Sequence, residues 1–147
     1  MRRRRPVAAV LLALLVTGCV GPSRTGRDYR DKAGSTAAAA ESAAQTALLA
    51  VHAQTRGNAP GTYLSVILGE AEEHVGTAQN QFDSVQPPDA QSDQLRGALD
   101  NLLSQTSNVL SALRIAARRG QLDQLAKIAQ PLEKLSKKLD QIQQESP

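Results

Sequence analysis

Seven apolar side chains recur between residues 64 and 85 at alternating spacings of four and three. They are Leu64, Leu68, Ala71, Val75, Ala78, Phe82 and Val85. On a helix of 3.6 residues per turn this rhythm puts all seven on one narrow seam, as in a coiled coil. A helix with one apolar seam cannot stand alone in water. It has to bury that seam against other helices.

The rest of the chain supplies the partners. Ala33, Ala37, Ala40, Ala44, Ala47 or Leu48, and Val51 recur at the same spacing between about Asp28 and Thr55. Leu95, Leu99, Leu102, Thr106, Val109, Leu113 and Ala116 do so between about Ser92 and Arg118, with Leu103, Leu110 and Ala117 widening the stripe. A fourth stripe, Leu122, Leu125, Ile128, Leu132, Leu135, Leu139 and Ile142, lies between about Gln121 and Gln144. Three turn-forming sequences separate the four: Arg56-Gly57-Asn58-Ala59-Pro60-Gly61, Gln86-Pro87-Pro88-Asp89 and Arg119-Gly120-Gln121. Period-two alternation and β-branched runs are absent. Short connections make successive helices antiparallel. The expected fold is therefore all-α, an up-down-up-down four-helix bundle over residues 28–147. The alternative is a three-helix bundle with a loose alanine-rich segment. Stripes of this kind can also be satisfied by helices from more than one chain.

Local details carry expectations of their own. Gly34-Ser35 marks a possible interruption of the first helix, with Ser35 as a new N-cap. Pro131 lacks an N–H, so a kink or break is expected before it. Gly69 and Gly76 lie one heptad apart on the flank of the second seam, either simply tolerated or allowing close approach of the alanine helix. Arg96, Asp100, Ser107, Ser111, Arg114 and Arg118 fall opposite the third stripe, on the side expected to face solvent.

The N-terminus has a different character. Arg2, Arg3, Arg4 and Arg5 precede a run of about ten apolar residues and then Thr17-Gly18-Cys19. A basic start, a short apolar stretch and small residues before a cut site describe a secretory signal peptide. A membrane-spanning helix needs about 20 apolar residues, so a retained anchor helix fits less well. The residues usual after a twin-arginine pair are missing, since Pro6 and Val7 follow. Val16-Thr17-Gly18-Cys19 resembles the lipobox of bacterial lipoproteins. Gly18 and Cys19 match its core, while Val16 and Thr17 depart from the favoured Leu and Ala or Ser. The resemblance covers residues 1–19 and implies a diacylglyceryl thioether on Cys19 with cleavage just before it. Residues 1–18 are then signal peptide, and 19–27 are the lipidated cysteine and a Gly/Pro-containing tether. The domain would sit on the extracytoplasmic face of the cell membrane, held through Cys19. The alternative is a secreted chain with an unmodified cysteine.

Charge narrows the functional classes. The sequence has 17 Lys+Arg and 14 Asp+Glu. Removing Arg2–Arg5 with the signal peptide leaves 13 basic against 14 acidic residues, a net charge of −1. Three aromatics, Tyr29, Tyr63 and Phe82, make no base-stacking platform. Nucleic acid is therefore not an expected partner. Residues 41–93 carry seven acidic groups and one basic, whereas 94–147 carry eight basic and five acidic. The first helix pair is thus suited to complement the second.

Chemistry-bearing motifs are few. Glu70, Glu72, Glu73 and His74 form the densest set of potential ligands, but Ala71 stands where a Glu-x-x-His metal motif needs a carboxylate. Only Glu41 and His52 are available opposite them on the first helix, and no metal or other cofactor is expected. Neither a nucleophile elbow nor a phosphate-binding glycine loop occurs. His52 and His74 have no nucleophile to serve, and an enzyme is not expected. Lys127, Lys134, Lys137 and Lys138 make a basic outer stripe on the fourth helix, with Glu133 placed to pair with Lys137. Antiparallel topology brings Arg56, Arg118 and Arg119 to the end far from the tether. These three form the candidate patch for a protein or an anionic envelope polymer, against the plainer role of complementing helix C-termini. The expected role is structural or interactive. A small-ligand or lipid-binding bundle is the alternative, if the alanine helix leaves a cavity, and a metal-binding bundle, which would need Glu70 and His74 to face inward, is a less favoured one.

Overall fold

The structure, a computed structural model, describes residues 25–58 and 60–146. The arginine run, the Val16-Thr17-Gly18-Cys19 sequence and the tether up to Arg24 lie outside the described residues. Four helices follow one another: α1 (Gly26–Thr55), α2 (Gly61–Asp83), α3 (Ala90–Arg118) and α4 (Leu125–Gln144). A 3₁₀ turn, Leu122–Gln124, leads into α4. They form an antiparallel up-down-up-down four-helix bundle. The N-termini of α1 and α3 share one end, here called proximal, and their C-termini share the distal end.

Every residue of the alanine stripe is buried, and Tyr29, Gly34 and Ala43 join it. The seam of α2 is buried over its whole length. In α3 the inner residues Leu99, Leu103, Leu110 and Leu113 are inaccessible, while Leu95, Leu102 and Val109 pack at the core's edge. The small side chains of α1 have a consequence for the cross-section. α1 packs against α2, α4 and, across the diagonal, α3, whereas α2 and α4 stand apart on the other diagonal. The small side chains of α1 permit this close approach, so α1 and α3 share the short diagonal and each adjoins the other three helices.

The continuity of α1 sets aside the three-helix alternative. Thr25 caps it, its hydroxyl accepting from the Asp28 N–H at 3.1 Å. The helix therefore starts at Gly26, two residues ahead of the expected Asp28. Gly34-Ser35 does not interrupt it. The Ser35 hydroxyl donates to the Asp31 carbonyl at 2.9 Å, so it bonds back into the helix instead of capping a new one. Pro131 does not break α4 either. Pro131 and Lys127 are both exposed, so the carbonyl that loses its intrahelical donor faces water. The start of the fourth segment is a 3₁₀ turn and not the first turn of the helix.

α1 and α3 end in the same way. The Gly57 and Asn58 N–H groups donate to the Gln54 and Ala53 carbonyls, both at 2.9 Å. Gly120 and Gln121 donate to Ala117 and Ala116 at 3.1 and 3.0 Å. Each is a Schellman cap whose glycine needs a positive φ, +74° at Gly57 and +70° at Gly120.

Candidate functional site

The matched caps define the distal end. Arg56 and Arg119 occupy the same C-cap position on α1 and α3, and Arg118 is the last residue of α3. All three are exposed and make no ion pair among the described residues. The structure thus places them at one end of the bundle, as the topology requires. Among the described residues four large hydrophobic side chains stand out in solvent: Leu49, Tyr63, Val66 and Ile115, with Leu49 68 % and Tyr63 59 % exposed. Leu49 and Ile115 lie in the closing turns of α1 and α3, and Tyr63 and Val66 in the opening turns of α2. They too belong to the distal half.

A surface groove of about 440 Å³ runs between α1 and α2. Ala39 and Ala43 line it from α1, and Ile67, Ala71 and Ala78 from α2. Glu70 and His74 stand together on its α2 wall, opposite Ser42 and Thr46. Glu41 and His52 do not face them. The Glu41 carboxylate accepts from the buried Ser136 hydroxyl at 3.2 Å, and Gln45 donates to the same hydroxyl at 2.8 Å, so this polar cluster ties α1 to α4. His52 lines a separate groove with Glu133 and Lys137. Among the described residues no three His, Cys, Asp or Glu side chains gather around one point. The anticipated Glu133–Lys137 pair does not form within 4.0 Å among the described residues.

The seam between α2 and α3 carries the charge complementarity. Arg114 Nε donates to Glu72 Oε2 at 2.6 Å, and this bond holds the guanidinium pKa above its ordinary value. Arg114 is thus a bridging residue and not a solvent residue. The same correction applies to Arg96 and Asp100. Arg96 Nη2 donates to the Asp83 carbonyl at 3.1 Å, and its Nε lies 3.8 Å from Asp100 Oδ2. Burial, then hydrogen bonding with Asp83 and its charge, push the Asp100 carboxyl above its usual value against the pull of Arg96. Asp100 Oδ1 is buried without a hydrogen-bond partner among the described residues. The Tyr29 hydroxyl is likewise buried and has no partner among the described residues, its ring resting on Phe82 at 5.2 Å between centroids. Sequence spacing alone could not reveal this proximal cluster, because it joins the ends of three helices. Gly69 and Gly76 face away from the alanine helix. A Cβ on Gly69 would touch Arg114, and one on Gly76 would meet nothing within 4 Å, so tolerance is the correct reading.

Comparison of the chain with protein-family models, with curated proteins and with solved structures finds no match. Among the described residues no helix is long and apolar enough to cross a membrane.

Proposed function

We propose that the protein is a lipid-anchored, extracytoplasmic lipoprotein whose helical bundle has an interaction or structural role at the cell envelope. The observation that carries this reading is the order of the N-terminal sequence: four arginines, a short apolar run, then Val16-Thr17-Gly18-Cys19. Acyl chains on Cys19 are its membrane contact. Each buried methylene contributes about 0.8 kcal/mol, so two or three chains hold firmly where one does not.

The fold fits this role. Six residues separate Cys19 from Gly26, a reach of about 20 Å when extended, so the proximal end stays near the lipid. The 30 residues of α1 extend about 45 Å and carry Arg56, with Arg118 and Arg119, away from it. The exposed hydrophobics of the distal half and these free guanidinium groups support contact with another envelope component. The grooves described lie on the surface between helices, which favours an interaction role over an enclosed ligand site.

Intact-mass measurement of membrane-extracted protein, beside a Cys19→Ser variant, tests the proposal. The expected mature chain begins at Cys19 and carries a diacylglyceryl adduct that the variant lacks. An unmodified chain released to the medium would overturn it.

A further inference from the structure

We infer, resting on the anchored interaction role proposed above, that the distal end of the bundle is a docking surface for an acidic polysaccharide. Arg56, Arg118 and Arg119 take its carboxylates, and Tyr63 packs on its sugar rings. The first observation is how charge is distributed. The two distal turns and the helical turns beside them, residues 52–64 and 114–128, hold Arg56, Arg114, Arg118, Arg119 and Lys127 against one acid, Asp123. Arg114 is engaged by Glu72, which leaves the other arginines and Lys127. The proximal turn, residues 80–95, holds Asp83, Asp89 and Asp93 with no Lys or Arg. An anionic polymer is thus drawn to the end that faces away from the lipid and repelled from the other. Helix dipoles do not account for this surplus. The distal end gathers two helix C-termini, each roughly −0.5 of a charge, and two N-termini, each roughly +0.5, so their fields largely cancel.

The second observation is the choice of cation. Arg96 and Arg114 use their guanidinium groups on protein oxygens, whereas the outer stripe of α4 is lysine throughout: Lys127, Lys134, Lys137 and Lys138. Arg56, Arg118 and Arg119 have no ion pair among the described residues. A guanidinium can hold a carboxylate through two parallel N–H bonds, while an ammonium acts as a point charge. Two of the three stand on fixed backbone. The Arg56 and Arg119 N–H groups donate to the His52 and Ile115 carbonyls at 3.3 and 3.1 Å, so binding has little main chain to order. The third observation is Tyr63, in the first turn of α2 at the same end. Among the described residues it is the one exposed aromatic, since Tyr29 and Phe82 are buried. Its ring offers an apolar face with a polar tip. A uronic-acid ring presents a C–H face to such a phenol and a carboxylate to a guanidinium. An acidic peptide satisfies the arginines alone.

Titration calorimetry on the full chain, extracted from membranes in detergent, tests this inference. The probes are an oligogalacturonate and an oligoglutamate of equal length, and the first is expected to bind more tightly. Combining Arg56→Lys, Arg118→Lys and Arg119→Lys keeps the net charge and should weaken oligogalacturonate binding about tenfold, because fork contacts become point-charge contacts. Tyr63→Ala should weaken it about fivefold and leave the oligoglutamate unaffected. Combining Lys134→Gln, Lys137→Gln and Lys138→Gln should leave both affinities near the parent's. All of these side chains are exposed, so thermal midpoints should not move. Absence of oligogalacturonate binding, equal or tighter binding of oligoglutamate, parent-like affinity of the lysine variant, or an equal loss in the α4 variant overturns the inference. Intact mass of the same sample reports the anchor separately. An acylated Cys19 with no binding discards this surface alone, and an unmodified chain discards the anchored role whatever it binds.

Discussion

Ser146, just beyond the end of α4, lies so close to Gly34 of α1 that a Cβ on Gly34 would stand 2.6 Å from the Ser146 Cβ. The Ser146 hydroxyl also donates to the Ile142 carbonyl at 2.8 Å, which turns the C-terminal residues onto α1. A glycine that resembles a helix interruption in the sequence is a point of close packing in the fold.

Two glycines of α1 and α2 should therefore respond in opposite ways. Gly34→Leu is expected to destabilise the bundle by about 1–3 kcal/mol through overpacking. Gly76→Ala meets nothing within 4 Å and should stabilise it by up to about 1 kcal/mol through helix propensity. Urea midpoints of the two variants check both signs. Equal stability of Gly34→Leu and the parent would show that Ser146 is not held against α1.

Tyr29 offers a cleaner separation of packing from polarity. Its ring is fully buried against Phe82, while its hydroxyl has no partner among the described residues. Removing only the hydroxyl, as in Tyr29→Phe, should raise stability by about 1 kcal/mol, because an unsatisfied buried donor is lost. Removing the ring, as in Tyr29→Ala, should cost about 3–5 kcal/mol. A loss of stability in Tyr29→Phe would mean that the hydroxyl is satisfied.

Asp100 predicts an unusual pH dependence. Burial first, and then its bonding with Asp83 and that residue's charge, raise its folded-state pKa. A carboxyl raised in this way contributes stability below the ordinary carboxylate range, and loses it as pH rises through the elevated value. Asp100→Asn should therefore be more stable than the parent at neutral pH, and the difference should shrink on acidification. Denaturation at neutral and acidic pH measures it. A variant weaker than the parent at neutral pH would contradict the assignment.

Pro131 is the exposed interior proline of an unbroken helix. Pro131→Ala restores an N–H to the Lys127 carbonyl and relieves the ring clash, so it should gain about 1–3 kcal/mol. Thermal unfolding with the helix content followed by circular dichroism is the measurement. An unchanged midpoint would show that α4 accommodates proline without strain at this position.

The four helices and nearly all of their core residues were legible because each stripe repeats with the helical period. Leu64 to Val85 is the clearest instance, since its seam maps onto burial residue by residue. The grouping of Arg56, Arg118 and Arg119 at one end followed from loop lengths alone. What the spacing could not supply was context. Gly34 and Ser35 have the composition of a helix end, yet the surrounding alanines and the Ser146 contact keep α1 continuous. Arg114 and Arg96 look like surface residues until α2 is packed alongside. The α1–α2 groove was hidden for a related reason. It depends on the small residues Ala39 and Ala43 at the margin of the alanine stripe, where a one-dimensional pattern does not distinguish a neighbour's side from open solvent.

The diagonal contact of α1 with α3 has a mechanical consequence. Any tension on the chain ahead of Thr25 enters the molecule through α1, which, like α3, adjoins the other three helices. Such a load acts along its axis and shears every seam at once. An edge helix would instead peel away from its neighbours one turn at a time. The alanines that let α1 lie against all three neighbours thus put the proposed N-terminal attachment on an element that resists being pulled out.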